Sequence, residues 1–248
     1  MGTQQHIRVR PAEAPRRSDE RGRAAQELLE PPASARAVKL PDFYETVAQD
    51  AAALAPRERG LWADLGCGAG GVGLALARQS ESRVLLVDPN PDALGEAVRA
   101  AHAQEVSERA VCLVARAEQL PLVDNYLDLV VSRGSVFFWD DAARGICEVH
   151  RVLRPGGCAM IGGGLGSGYP DWARREFMRR RREDASQQGA DALARFIEER
   201  SPDTFHRLAV MADLRQYEIV SDTDWTASEA GEGLGIWLRF KKEAEHGT

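Results

Sequence analysis

The chain has 248 residues, 44% of them hydrophobic, with a formal charge of −6. That length accommodates one substantial α/β domain with an extension, or at most two small domains. The acidic balance argues against a dedicated nucleic-acid binder, and no 18-residue apolar run is present to span a membrane.

Residues 1–38 are rich in Arg, Ala, Glu and Pro and poor in large apolar side chains, which predicts a mobile extension with a short helix over 21–29. This start carries both arginines and acids and makes a poor signal peptide. "DFYETVAQDAAALAP" follows as a helix, with Phe43, Val47 and Leu54 on one face and Pro56 ending it. Strand and helix signals then alternate. "GLWADL" reads as a strand, "VGLALARQS" as a helix, "RVLLV" as a buried strand, and "PNPDALGEAVRAAHAQ" as a helix with Pro91 in its first turn. "AVCLVA" and "YLDLVVS" are further strands, "DAARGICEVHRVL" is a helix stopped by "RPGG", and "CAMIGG" is the next strand. Beyond Tyr169 one long charged helical stretch precedes two strands, "YEIVSDTDW" and "GIWLRF", which lack a helix between them and so pair antiparallel near one edge.

Apolar strands separated by helices predict a Rossmann-like, three-layer α/β sandwich with a mostly parallel seven-stranded sheet and an antiparallel edge strand. Residues 39–248 form this domain, with 165–205 as a helical lid or substrate cap. Cys67, Cys112, Cys147 and Cys158 show neither close pairing nor zinc-ligand spacing. They read as buried free thiols in a reducing, cytoplasmic setting.

"LWADLGCGAGG" (61–71) joins the first of these core strands to its helix, with glycines at 66, 68, 70 and 71. Such a turn lets a nucleotide approach the backbone, next to a helix N-terminus that favours negative charge. Gly66, Gly68 and Gly71 match the dinucleotide fingerprint, and Asp88, 22 residues beyond Gly66, matches its ribose-binding acid. Asp64 points elsewhere. A carboxylate beside the turn competes with a pyrophosphate and suits a ligand carrying an ammonium or sulfonium cation, or else it caps the loop amides. No Gly-Lys-Ser/Thr follows, which excludes a P-loop.

The ordered segments "ADLGCGAG" (63–70), "VDPNPDAL" (87–94), "ARAEQLPLVDNYLDLVVS" (115–132) and "EVHRVLRPGG" (148–157) resemble those of class I S-adenosylmethionine-dependent methyltransferases, especially the small-molecule group. The resemblance spans roughly residues 41–241 and implies S-adenosylmethionine as methyl donor. It implies that Gly66, Cys67 and Gly68 line its methionine and ribose side, with Asp64 supporting the turn. Asp88 would bind the ribose hydroxyls and Pro89 or Asn90 flank adenine, while Ala117 and Glu118 lie beside it. Ser132 and Arg133 would approach the methionine end. Many relatives carry an aspartate where this chain has Arg116, and arginine accepts no hydrogen bond. The adenine amine would then rely on Glu118, a backbone carbonyl or water.

Methyl transfer from a sulfonium requires alignment and exclusion of water more than a catalytic triad. Phe137, Phe138 and Trp139 follow the fourth core strand and either shape an apolar acceptor pocket or anchor the loop in the core. Asp140 and Asp141 read as helix caps rather than metal ligands, and no metal is assigned. The glycines of "IGGGLGSGYP" (161–170) fit close approach to the acceptor, a hinged lid or a plain connection. The six arginines of "RREFMRRRRED" read as a solvated helix. His150, His206, Tyr44 and Tyr169 are the titratable candidates, and none is assigned as a general base. The absence of an Asn-Pro-Pro-aromatic tetrad argues against a nucleic-acid acceptor. The expected activity is methyl transfer to O, N, S or C of a small molecule. The alternatives are a non-catalytic S-adenosylmethionine-binding module and an NAD-dependent dehydrogenase, the latter without a Tyr-x-x-x-Lys or metal set. Oligomeric state is not fixed by the sequence.

Overall fold

The computed structural model describes residues 8–11, 39–187, 189–221 and 235–243. The helix expected over 21–29 lies outside them. The strands are β1 (Arg8–Pro11), β2 (Leu61–Leu65), β3 (Arg83–Asp88), β4 (Ala110–Val114), β5 (Leu127–Arg133), β6 (Leu153–Gly163), β7 (Tyr217–Ser221) and β8 (Ile236–Lys241). They form one sheet in the order β1-β7-β8-β6-β5-β2-β3-β4. β2 to β6 are mutually parallel, and β8 runs antiparallel between β6 and β7. The expected seven-stranded, mostly parallel sheet is therefore present. β1, from the segment expected to be mobile, adds an eighth strand parallel to β7.

Helices α1 (Tyr44–Ala52), α2 (Gly71–Gln79) and α3 (Pro91–Ala103) cover one face. Val47, Ala51, Leu74, Leu76 and Ala97 pack there on Trp62, Leu86, Leu129 and Val131. Helices α4 (Ala142–Val152) and α7 (Pro202–Met211) cover the other, where Ile146, Val149 and Phe205 meet Leu65, Val87, Val130 and Ile161. Alternate residues of β5 serve the two faces, as the two-residue period of a strand requires. Each large side chain so buried stabilises the fold by about 1.5–3 kcal/mol.

Local chemistry sets the helix starts. Asn90 accepts the Asp92 N–H (3.0 Å) ahead of Pro91, and Asp141 accepts the Arg144 N–H (2.9 Å). Thus Asp141 caps as expected, whereas Asp140 pairs with Arg116 (2.6 Å). The "RPGG" stretch, expected as a stop, lies within β6. The long charged stretch divides into α5 (Asp171–Gln187) and α6 (Ala190–Glu199), with Gly189 at φ +97° just ahead of α6. α7 has no counterpart among the predicted elements. Ser201 caps it, accepting the Thr204 N–H at 3.2 Å, and Pro202 follows at its first position. The four cysteines are free, as expected, and partly rather than wholly buried.

Candidate functional site

The chain winds outward from β2 to β4 and then returns to β5 on the other side of β2. The crevice at the carboxyl ends of β2 and β5 is therefore the switch point where such sheets bind ligands. Two cavities open there, of about 400 and 480 Å³, and Gly66, Gly68 and Arg133 line both.

The glycine turn is held from below by β3, because the Gly66 and Cys67 N–H groups both donate to the Val87 carbonyl (2.7 and 3.0 Å). Gly66 has φ +70°, and a Cβ there would stand 2.1 Å from the Ser135 Cβ. Glycine is thus required for close approach of the loop after β5. Gly68 also has positive φ, +54°, but its missing side chain would meet nothing within 4 Å. The first glycine admits protein; the second leaves space. Gly71 answers a third need, since a Cβ there would lie 2.6 Å from the Tyr44 ring.

Asp64 is 2% exposed, and its carboxylate accepts the Gly73 N–H at 2.7 Å. Burial pushes its pKa up from 3.8 to about 7, with the Asp88 charge adding to the rise and the Gly73 hydrogen bond opposing it. It therefore anchors the first turn of α2 while lining the smaller cavity. Asp88 accepts the Gly68 N–H and the Asn90 N–H, one on each oxygen, both at 2.9 Å. Carboxylate oxygens have further lone pairs, so both remain competent acceptors. Cys67 contributes backbone rather than a reactive thiol, because burial, Asp64 and Asp88 all push its pKa up.

The larger cavity is lined by Asp88, Pro89, Ala117, Glu118, Phe138 and Trp139, among others. Glu118 accepts the Asp140 N–H (2.8 Å) and lies 3.5 Å from Arg116. Arg116, which also pairs with Asp140, thus helps hold the loop carrying Asp140 against the cavity. Asn90 is not among the lining residues of either cavity; it caps α3 instead.

The expected aromatic run divides. Phe138 is 83% exposed at the larger cavity, and Trp139 lines the same wall. Phe137 points away, edge-on to Phe205 in the core (centroids 6.1 Å) and beneath the Arg200 guanidinium (3.8 Å). Ser132 is fully buried and lines neither cavity. It contacts Ser135 Oγ at 2.6 Å, and that hydroxyl donates to the Leu65 carbonyl (2.8 Å) and accepts from Trp139 Nε1 (3.1 Å). Ser135, which the sequence reading missed, is the residue that reaches the cavity. The legible clue was Gly66, whose absent side chain makes room for it.

The candidate bases separate as well. His206 Nδ1 lies 2.5 Å from the Tyr217 hydroxyl, His150 packs by Phe240, and Tyr169 donates to the Pro41 carbonyl (2.9 Å). Tyr44 alone of the four lines a cavity. The "IGGGLGSGYP" loop is pinned rather than loose. Arg174, 4% exposed, donates to the carbonyls of Gly166, Ser167 and Tyr169, and Ser167 donates to Asp50. No cluster of three or more His, Cys, Asp or Glu able to hold a metal occurs among the described residues, and none of their helices is long and apolar enough to cross a membrane.

A family model described as a methyltransferase domain matches residues 63–161. The chloroplast 2-methyl-6-phytyl-1,4-hydroquinone methyltransferase of Arabidopsis thaliana is 34% identical over 116 residues, covering 46% of this chain and 32% of that protein. An uncharacterized methyltransferase of Mycobacterium tuberculosis is 43% identical over 94 residues, covering 38% and 35%. The chain thus spans about a third of the length of these two curated relatives. The crystal structure of a candidate S-adenosyl-L-methionine-dependent methyltransferase from Methanococcus maripaludis superposes with a TM-score of 0.67. It is 26% identical, covering 83% of this chain and 88% of that one.

Proposed function

We infer that this chain, which carries a methyltransferase domain of the class I S-adenosylmethionine-dependent type, moves a methyl group from S-adenosylmethionine to a small-molecule acceptor. One observation carries the reading: the bare Gly66–Gly68 turn forms a shared wall of two cavities, with Asp88 on one of them and Arg133 on both. The residues present fit the donor. Gly68 leaves its space open, Asp88 retains acceptor capacity for a ribose, and Pro89 and Ala117 offer apolar contact to a flat base. Asp64 places a carboxyl near the turn where a cationic ligand gains from it.

When bound, S-adenosylmethionine supplies an electrophilic methyl group on a sulfonium. The chain's own task is then placement. The smaller cavity, lined by Asp42, Tyr44, Asp64 and Arg133, holds the acceptor beside the turn. Tyr44 is the hydroxyl best placed to take part in moving the acceptor's proton. A small-molecule acceptor is supported by the hydroquinone methyltransferase among the relatives and by a cavity of a few hundred Å³. The domain match supports methyl transfer over the nicotinamide alternative. Residues 165–205 we propose as the acceptor's cap, since Tyr169 and Phe177 pack on Phe43 next to that cavity. Four free cysteines support a reducing, cytoplasmic setting.

The test is formation of S-adenosylhomocysteine from S-adenosylmethionine with pooled phenols, amines, thiols and carboxylic acids. Acceptor-dependent turnover supports the reading. Tight donor binding without turnover on any pool favours a non-catalytic binding module, and no binding at all rejects the site.

A further inference from the structure

β4 closes one edge of the sheet, paired with β3 on one side and, among the described residues, with no strand on the other. The Val84 N–H donates to the Arg109 carbonyl (2.7 Å), and the Ala115 N–H to the Asp88 carbonyl (3.3 Å). In a parallel pair, alternate residues turn both backbone groups toward the same neighbour. Arg109, Val111, Leu113 and Ala115 therefore face β3, while Ala110, Cys112 and Val114 direct their N–H and C=O groups outward. Such a row is a template for another strand, and sheet edges are ordinarily blunted by Lys, Pro, a bulge or a covering segment. Among the described residues β4 has none of these. Its sequence is AVCLV, its register with β3 is unbroken, and Val111 and Val114 are 51% and 58% exposed. On the flanking α3, Cys112 Sγ lies 3.8 Å from the Leu94 carbonyl, and Val98, one turn further on, is 54% exposed.

The pattern about Cys112 identifies the occupant. A strand that pairs with a copy of itself across a two-fold axis runs antiparallel and meets its own sequence reversed. With Cys112 opposite Cys112, Ala110 meets Val114 and Val111 meets Leu113, apolar against apolar. Outward residues then fall opposite outward residues, the arrangement in which each facing pair exchanges two backbone hydrogen bonds. Glu108 and Arg116, both exposed and each four residues from Cys112, meet as opposite charges at both ends. Arg116 gives Nη2 to Asp140 and Nε to Glu118, and among the described residues its Nη1 has no partner. A strand from a different protein would need none of this symmetry. We propose that β4 is a self-association edge, on which a second copy of this chain seats its own β4 antiparallel, with Cys112 facing Cys112. The seam adjoins the larger cavity, which Ala115, Arg116, Ala117 and Glu118 line.

Sedimentation velocity over a range of concentrations reads the association, and cross-linking reads the register. Facing residues of this type have Cα atoms about 5.5 Å apart. Bismaleimidoethane is therefore expected to join two chains through Cys112 and to give no dimer with Cys112→Ser. Val111→Lys combined with Val114→Lys, on exposed side chains, is expected to weaken the dimer at least about tenfold. Glu108→Arg sets like charges against each other and should weaken it about five- to tenfold, and adding Arg116→Glu should restore it. If the double lysine variant melts at a lower temperature, Glu108→Arg and its charge-swapped rescue carry the test. A monomer at every concentration would overturn the proposal and leave the edge to a different chain or to solvent. A dimer that the lysines leave intact would place self-association on another surface. A dimer that neither cross-links through Cys112 nor recovers on charge swapping would overturn the register.

Discussion

The two ends of the crevice are built in different ways. At the end proposed for the nucleoside, Asp88 and Glu118 sit at or just beyond strand ends and are fixed by backbone N–H groups of Gly68, Asn90 and Asp140. At the end proposed for the acceptor, Arg133 leans on Phe43 and Gly164, Tyr169 reaches Pro41, and Ser167 bonds Asp50 across 117 residues of sequence. A donor common to many enzymes can be held by short local motifs. An acceptor site has to be assembled from segments that meet only in the folded chain.

Glycine substitutions break this comparison most sharply. Gly66→Ala forces a left-handed residue and drives a Cβ into Ser135, so it should cost about 2–5 kcal/mol of stability in urea unfolding. Its neighbour Gly68 faces open space. Gly68→Ala should cost only about 1–2 kcal/mol from backbone strain, yet still weaken S-adenosylhomocysteine, because the added methyl enters the ligand's room. Equal stability losses for the two would contradict the division between a glycine that admits protein and one that admits ligand.

Asp64, on the smaller cavity, ties the site to pH. Its native pKa, about 7, is above its ordinary 3.8, so the folded protein binds the proton more tightly than the unfolded chain across that window. Stability from this group is full below the window and falls as pH rises through it, by up to about 4 kcal/mol. Asp64→Asn keeps an acceptor for the Gly73 N–H and should flatten that slope. Urea midpoints on either side of the window check it, and an unchanged slope would remove Asp64 as the cause. The smallest effect is at Trp139, where Trp139→Phe removes the bond to Ser135 Oγ. The expected loss is about 0.5–1.5 kcal/mol, read from thermal unfolding.

What was legible in the sequence follows the same division. β2 with its glycine turn, and β3 with Asp88 at its end, are each continuous in the chain, so Asp64, Gly66, Gly68 and Asp88 could be singled out from the turn pattern and the family resemblance together, although spacing alone fitted a dinucleotide equally well. The "EVHRVLRPGG" segment was equally legible, but it proves to be scaffold. Glu148 accepts the Leu120 N–H, and Arg151 holds Glu148, Asp124 and the carbonyls of Leu120 and Leu122. Phe137, Phe138 and Trp139 could not be sorted, because a 3-10 turn over Val136–Phe138 sends consecutive side chains to the core and to the cavity. Ser132 lies within β5 and is buried, whereas Ser135, beyond the strand end, lines the cavity. Phe43 was legible only as part of a helix face and Arg133 only as a residue near the methionine end; their contact was not, because cation–π stacking between residues 90 apart leaves no local pattern. α7 went unread since its start resembles the end of the charged stretch before it.

The most direct measurement is binding of S-adenosylhomocysteine and NAD to the wild-type chain and to Asp88→Ala. We expect S-adenosylhomocysteine to bind far more tightly than NAD, and Asp88→Ala to weaken it by at least about tenfold through loss of charge-assisted hydrogen bonds. NAD bound more tightly than S-adenosylhomocysteine, or an affinity unmoved by Asp88→Ala, would contradict this.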